Sequence, residues 1–345
     1  MHVSLRRTPT ILCAAVLLAS GCASNDQGAG ENIESGGNYP VTIENCGHTV
    51  TVDSPPRRAV SLNQGSTEIL LSLGLADRMV GTATWTDPVR DNLAADNERV
   101  PRLTDNNPAF EVVLDTEPDF VSASFVGTLG PGGGVADRDQ FDKLGVPNYV
   151  SPADCEGKTD GGDSDGARTE PLRIDAIYKE IRDLAAVFDV RERGEQFVSE
   201  LQARFEVASD AIDASGVSLA YWFADIQAPY MAGCCGSPGV MTDSVGAQNI
   251  FADTADEWPQ VSWETVLDRD PTALVLGDLS RRSIEGDSLD SKIAFLESNP
   301  VTQRLSAVRD KRYIIVNGAD MNPSIRTVDG VEKVAEALRG WGMTN

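Results

Sequence analysis

Four cysteines in the body of the chain are the residues best suited to covalent chemistry: Cys46, Cys155, Cys234 and Cys235. In an exported protein four cysteines suggest two disulfides, for which three connectivities are possible. Cys234 and Cys235 are adjacent, so they could form a strained vicinal bridge or pair separately with Cys46 and Cys155. Because their spacing is not CxxC, a zinc site and an exported thiol-redox enzyme are the weaker interpretations.

Few other residues support catalysis. The chain of 345 residues has only two histidines, His2 and His48, which excludes multi-histidine metal sites and most histidine-dependent catalysis. It contains no P-loop, GxSxG or HExxH motif, so we do not expect an enzyme, and any ATPase must be a separate chain. Its 53 acidic and 29 basic side chains give a net charge of −24, which disfavours binding to nucleic acid.

The first 40 residues have the pattern of an export signal followed by a lipid anchor. Residues 1–7 are basic, and residues 8–20 are mostly apolar but too few to span a bilayer, which needs about 20. This stretch ends in Leu-Ala-Ser-Gly-Cys, which resembles the bacterial lipobox and predicts a lipid on Cys22. We therefore expect a signal peptide over 1–21, a flexible tether over 22–40, and attachment to the extracytoplasmic face of the cell membrane.

The next part of the chain predicts an N-terminal α/β lobe over residues 41–172. Residues 41–52 alternate polar and apolar side chains around Asn45-Cys46-Gly47, which predicts a hairpin. Buried strands and short helices then alternate, which favours a mainly parallel sheet. Residues 155–171 are rich in Gly and Asp, and we interpret them as a surface insertion.

The remainder predicts a helical linker and a second lobe. Residues 173–213 place apolar side chains at helical spacing, with a break near Asp189. Strands and helices alternate again over 214–345, which predicts a C-terminal α/β lobe.

A short internal repeat favours two similar lobes. Residues 111–121 read EVVLDTEPDFV and residues 264–274 read ETVLDRDPTAL, with five identities at a constant offset of 153. Each copy predicts a short helix that ends before a proline and is followed by an apolar strand.

Five segments, spread over nearly all of residues 41–340, carry a family resemblance. They read, in order, VTIENCGHTVTVDSPPRRAVSL, STEILLSLGLADRMVGTATWTD, EVVLDTEPDFV, WPQVSWETVLDRDPTALVLGD and VDGVEKVAEALRGWG. In this order the chain resembles the siderophore- and cobalamin-type substrate-binding proteins of bacterial ATP-binding-cassette (ABC) importers. The resemblance implies two three-layer α/β lobes, joined by one long helix at 173–213, with a ligand cleft between them.

The same resemblance assigns roles to individual residues. It implies that Glu111 and Glu264, one on each lobe, dock on arginines of a dimeric permease. The cleft should be lined by loops at the carboxyl ends of strands. Its candidate residues are Asn63, Gln64, Trp85, Ser124 and Phe125 from the first lobe, and Trp222, Trp258, Arg281, Arg282 and Arg326 from the second.

The implied ligand is a small molecule that arrives already chelated to its metal. We expect a ferric siderophore, with cobalamin or another corrinoid as the closest alternative and a phosphate-bearing cofactor as a further one. Haem stays marginally open through Tyr221 and Tyr230. We expect a monomer with no covalent cofactor and no bound free metal, which hands its ligand to the permease.

Overall fold

The computed structural model describes residues 39–131, 134–159, 165–210, 212–279 and 286–344. The predicted signal peptide, Cys22 and nearly all of the tether therefore lie outside the described residues, as do Arg281 and Arg282. Within the described ranges, no helix is both long and apolar enough to cross a membrane.

The first lobe begins with a hairpin and continues as a parallel sheet. Cys46 and Gly47 both have positive φ, at 51° and 78°, which is the backbone of a tight two-residue hairpin turn. The elements are β1 Val41–Asn45, β2 His48–Val52, β3 Ala59–Ser61, α1 Gln64–Ser72, β4 Met79–Thr82, α2 Ala94–Asn97, α3 Phe110–Leu114, β5 Phe120–Ala123, α4 Arg138–Lys143, β6 Asn148–Val150, β7 Lys158–Thr159 and β8 Ala167–Arg168. The sheet has the order β4-β3-β5-β6, and all its pairs are parallel.

Two helices, α5 Ile174–Val187 and α6 Arg191–Ser209, connect the lobes. The break between the two helices falls near the predicted position, since Asp189 has a positive φ of 55°, which a right-handed helix does not allow. The single long helix that the family resemblance implied is therefore wrong for this chain. Helix α5 buries Ile177, Ile181 and Leu184, as its periodicity predicts.

The second lobe repeats the topology of the first. Its elements are β9 Ser218–Ala224, β10 Tyr230–Met231, α7 Ser237–Ser244, β11 Gln248–Asn249, α8 Trp263–Arg269, β12 Ala273–Asp278, α9 Leu289–Ser298, α10 Ser306–Arg309, β13 Tyr313–Asn317 and α11 Arg326–Gly340. Parallel pairing gives the order β11-β9-β12-β13, and β10 adds an antiparallel pair to β9. The sequence repeat thus corresponds to α3–β5 and α8–β12, which hold equivalent places in the two sheets.

Each sheet is covered on both faces, so each lobe has three layers. Along β12, Ala273 and Val275 pack into one apolar cluster, whereas Leu274 and Leu276 pack into another on the opposite face. Strand β3 does the same in the first lobe, where Ala59 and Val60 enter different clusters. The predicted α/β fold class, with two three-layer lobes, is confirmed.

The two lobes share one of these cores. The cluster that contains Leu70 of α1 and Ile181 of α5 also contains Val240, Ile325 and Val328 from the second half of the chain. The last helix of the chain therefore completes the packing of the first lobe.

Candidate ligand-binding site

The central cleft lies where loops of both lobes meet. Asn63 and Gln64 follow β3, Ser124 and Phe125 follow β5, and Arg326 begins α11 on the opposite side. The cavity that they line has a volume of only about 30 Å³. Ligand pockets of small-molecule binders usually measure roughly 300–1,000 Å³, so in this conformation the central cleft is too small to hold a chelate.

Asn63 and Gln64 line this cavity, but their amides are used by the protein itself. The Oδ1 atom of Asn63 accepts hydrogen bonds from the Ser124 backbone N–H (2.8 Å) and from the Thr128 hydroxyl (3.2 Å). The Oε1 atom of Gln64 accepts from the backbone N–H groups of Thr86 and Asp87, at 3.0 and 2.9 Å. Both residues therefore fix the loops that form the cleft.

Arg326 is also at the cleft, but its charge is neutralised within the protein. Its guanidinium donates to both carboxylate oxygens of Glu68, at 2.8 and 2.5 Å, and to the Pro88 carbonyl at 2.7 Å. Arg326 is 3% exposed and Glu68 is fully buried. In this structure the Arg326 guanidinium is therefore not free to pair with an anionic ligand. Because Glu68 lies on α1 and Arg326 on α11, the pair instead joins the two lobes.

Two of the candidate tryptophans are core residues. Trp222 is fully buried, and its ring packs edge-on against Trp263 with centroids 4.7 Å apart. Trp85 is 2% exposed, and the Arg102 guanidinium lies 4.6 Å from its ring centroid. In this conformation neither side chain is accessible to a ligand.

Trp258 is the candidate that lines an open pocket. This pocket, which we call the strap pocket, has a volume of about 540 Å³. The Trp258 ring lies 5.1 Å from the ring of Phe223, which is partly exposed near the carboxyl end of β9. The strap pocket is lined by Asp165, Gly166, Phe223, Ala224, Tyr230, Asp256, Trp258, Pro259 and Gln260.

The pocket takes its name from residues 155–171, the strap, of which the structure describes all but 160–164. The strap leaves the first lobe and pairs with the second: the Arg168 N–H donates to the Ala255 carbonyl at 2.8 Å, and the Glu257 N–H donates to the Gly166 carbonyl at 3.0 Å. Its interpretation as a surface insertion is therefore incomplete, because Asp165 and Gly166, which precede β8, form one wall of the strap pocket against residues of the second lobe.

A buried group of four charges holds the strap in place. Arg168 donates to Glu257 at 2.6 Å, and Lys158 lies 2.7 Å from Glu257 and 2.6 Å from Asp154. Burial alone would lower the pKa of Lys158, but the carboxylates of Asp154 and Glu257 outweigh it and raise that pKa. The two positive charges of this group balance its two negative charges. Because Trp258 directly follows Glu257, these ion pairs also fix the backbone beside Trp258.

The loop that carries Trp258 is fixed on its other side by strand-like bonds. The Met231 N–H donates to the Pro259 carbonyl at 3.1 Å, and the Val261 N–H donates to the Pro229 carbonyl at 3.1 Å. Sequence reasoning missed Phe223, Asp165 and Asp256, and it considered Tyr230 only for haem. The one available signal was the apolar run that ends near Phe223, since ligands collect at the ends of strands.

The cysteine sulfurs lie at bonding distance in two pairs, Cys46 with Cys155 and Cys234 with Cys235. The first pair joins the turn between β1 and β2 to the start of the strap, with Cα atoms 5.6 Å apart. The second pair is the vicinal one among the predicted alternatives.

Glu111 and Glu264 occupy equivalent positions on the surface. Each is exposed and is the second residue of its helix, α3 or α8. Neither forms an ion pair with any residue that the structure describes. Their carboxylates are therefore available to an external partner, although the structure does not test the predicted docking.

Residues 60–318 match the model of the periplasmic binding protein family, and the chain belongs to this family. It is 23% identical over 337 residues to YvrC of Bacillus subtilis, an uncharacterised ABC transporter substrate-binding lipoprotein, with 95% of each chain covered. It is 26% identical over 239 residues to the vitamin B12-binding protein of Vibrio campbellii, covering 69% of this chain and 75% of that protein.

Solved structures share the fold. A periplasmic binding protein from Veillonella parvula superimposes with a TM-score of 0.73 at 22% identity, covering 87% of this chain and 97% of that one. The structure of an ABC-type Fe3+-hydroxamate transport system from Saccharomonospora viridis superimposes with a TM-score of 0.70 at 24% identity, covering 87% and 99%.

Proposed function

We propose that this protein is the extracytoplasmic substrate-binding component of an ABC importer, and that it captures a ferric siderophore in the strap pocket. It then delivers the chelate to a permease dimer whose ATPase is a separate chain. A lipid on Cys22 would hold the monomeric protein at the outer face of the cell membrane.

The observation that carries this proposal is the strap pocket itself. It lies where the strap meets the second lobe of a binding-protein fold, and its volume of about 540 Å³ falls within the usual range of roughly 300–1,000 Å³ for small-molecule sites. Three aromatic side chains, Phe223, Tyr230 and Trp258, offer apolar surface to an organic ligand. The names of the relatives support a transport role without catalysis.

A corrinoid is the second candidate. The vitamin B12-binding protein of V. campbellii is among the relatives. The rings of Trp258 and Phe223, inclined at 42° to each other, offer aromatic faces on which a flat macrocycle can pack.

Direct binding measurements separate these candidates. We would titrate the purified protein with ferrioxamine B, ferric enterobactin, cyanocobalamin and haemin, and follow tryptophan fluorescence and calorimetric heat. We expect a ferric chelate to bind at micromolar concentration or tighter. Binding of cyanocobalamin alone would favour the corrinoid function, and no binding by any of the four would overturn both.

Trp258 variants test whether the strap pocket is the site. Trp258→Leu should weaken binding about tenfold, because it removes aromatic contact area, whereas Trp258→Phe should retain most of the affinity. Trp341→Phe, at the end of α11 and outside the strap pocket, is the matched control. Unchanged affinity in Trp258→Leu would place the ligand elsewhere.

A further inference from the structure

We propose that the strap pocket selects a chelate with a cationic group, and that the ligand class is a ferric hydroxamate carrying a free ammonium. This inference deepens the proposed function and rests on it. It follows from the charge of the pocket wall, and it concerns the organic periphery of the ligand rather than the iron, whose coordination sphere the siderophore already fills.

The described wall of the strap pocket is acidic. Asp165 lies on the strap and Asp256 precedes the anchored Glu257, so that the two lobes each contribute a carboxylate. Both residues are exposed, and neither forms an ion pair within the described ranges. The remaining polar side chains of the wall are the neutral groups of Gln260 and Tyr230.

The basic side chains next to the pocket are already neutralised. Lys158 lies between Asp154 and Glu257, and Arg168 pairs with Glu257. At the central cleft Arg326 pairs with Glu68, and Arg90 lies 3.1 Å from Asp329. A trianionic catecholate would therefore meet two carboxylates without a free cation from these residues, whereas an ammonium would gain from both carboxylates.

The aromatic side chains favour the same charge. A cation within about 6 Å of an aromatic face is attracted by the negative potential of the ring, most strongly for Trp. Trp258, Phe223 and Tyr230 line the pocket together with Asp165 and Asp256. A carboxylate pair beside aromatic faces is the arrangement that recognises an alkylammonium.

Two ligands that differ by one charge test the inference. Ferrioxamine B carries a primary ammonium at the end of its chain, and N-acetyl ferrioxamine B has the same iron coordination without that charge. We expect ferrioxamine B to bind the full-length protein about tenfold more tightly at low salt, with the difference shrinking as salt screens the carboxylates. Isothermal titration calorimetry at two ionic strengths measures both effects.

Variants locate the charge selection. Asp165→Asn with Asp256→Asn should reduce the difference between the two ligands to about twofold or less, mainly because ferrioxamine B binds more weakly. Asp115→Asn with Asp268→Asn, at exposed positions outside the pocket, removes the same charge and should leave the difference intact. Circular dichroism confirms that both variants fold.

Each other outcome is decisive. Equal affinity for the two ferrioxamines would overturn the charge selection and leave the proposed function standing. Tighter binding of ferric enterobactin than of ferrioxamine B would do the same. Failure of all chelates and of cyanocobalamin to bind would overturn the proposed function and this inference together.

Discussion

At the scale of single residues, Arg326 shows how burial decides what a charge can do. Its guanidinium and the Glu68 carboxylate satisfy one another between α1 and α11, away from water. Taking two charges out of water is costly, and removing one partner leaves the other charge buried alone. The pair therefore acts as a contact between the lobes, and its effect belongs to stability and lobe geometry.

Variants of this pair should separate the cost of a lone charge from the value of the pair. Arg326→Met should lower the free energy of unfolding by about 3–5 kcal/mol, because it leaves the buried Glu68 carboxyl group without its cationic partner. Glu68→Leu combined with Arg326→Met should recover most of that loss. Urea denaturation of both variants measures the difference. A cost below about 1 kcal/mol for Arg326→Met would mean that water reaches the pair in solution.

Glu180 on α5 is a second buried carboxyl, and it should make stability depend on pH. Burial raises its pKa from 4.5 to about 8, although the hydrogen bond from Ser151 and the nearby Lys179 favour the charged form and Asp183 opposes it. The folded protein then keeps a proton that the unfolded chain has lost. The free energy of unfolding should therefore fall as pH rises from about 5 to 8, by up to about 1.4 kcal/mol per pH unit, and level off above that window.

The Glu180→Gln variant tests this effect, because glutamine mimics the protonated carboxyl. Urea denaturation at pH 5, 6, 7 and 8 should show a flatter profile for the variant, which gains on the wild type as pH rises. Glu200→Gln, at an exposed position on α6, should keep the wild-type profile. Parallel profiles for wild type and Glu180→Gln would show that Glu180 is ionised in the folded protein.

The candidate site was only partly predictable at this scale. Of the three tryptophans predicted for the cleft, Trp258 lines the strap pocket, whereas Trp222 and Trp85 are buried in the core. Trp222 lies in β9, and in a parallel sheet covered on both faces the side chains on either face of a strand are buried. Trp85 lies in the loop after β4, where its ring is covered by Arg102. Side chains become accessible to solvent only at the carboxyl end of β9, where the Phe223 ring contacts that of Trp258. The sequence does not fix the last residue of a strand to within one position.

At the scale of elements, the strap is the part of the fold that sequence patterns missed. The repeat predicted the equivalence of α3–β5 and α8–β12, because helix and strand are set by local periodicity. The strap has no such periodicity, being rich in Gly and Asp. Arg168 is buried in the strap, and the carboxylate that pairs with it belongs to Glu257, 89 residues further along the chain. No local pattern reveals a pairing of that kind.

The anchor of the strap should contribute strongly to stability. The Cys46–Cys155 pair closes a loop with a sequence separation of 109, whereas Cys234–Cys235 has a separation of 1. Constraint of the unfolded chain grows with loop length, so Cys46→Ser with Cys155→Ser should lower the free energy of unfolding by about 2–5 kcal/mol. Cys234→Ser with Cys235→Ser should cost far less.

Thermal unfolding of the two double variants, with mass spectrometry of the non-reduced protein, provides the measurement. We expect two intact disulfides in the wild type and a larger loss of stability in the first variant. That variant should also bind chelate more weakly, since the strap wall loses its attachment. Equal stability of the two variants, or four free thiols in the exported protein, would contradict the assignment.

At the scale of the whole molecule, the two equivalent lobes present equivalent surfaces. Glu111 and Glu264 each occupy the second position of a helix that precedes a central strand, α3 before β5 and α8 before β12. Two such carboxylates on one body suit a symmetric partner, and the charge pairs would fix its orientation. The family resemblance first suggested this role, which stays a prediction.

Charge reversal tests the docking role. Glu111→Lys with Glu264→Lys should reduce chelate uptake by cells to background while leaving ligand affinity unchanged, because like charges would then face the permease arginines. Asp115→Lys with Asp268→Lys is the matched control: both positions are exposed, belong to the same repeat and change the charge equally. Normal uptake in the glutamate variant, or equal loss in the control, would contradict docking at Glu111 and Glu264.

The core that both halves of the chain share limits when the first lobe can complete its folding. Ile325 and Val328 belong to the same cluster as Leu70 and Ile181, yet they follow the whole first lobe and both connecting helices in the chain. A ribosome makes those residues after the whole first lobe, so the first lobe emerges with part of its interior exposed to water. We therefore expect that the nascent first lobe stays loosely packed until α11 has been synthesised, and that it depends on chaperones during that interval.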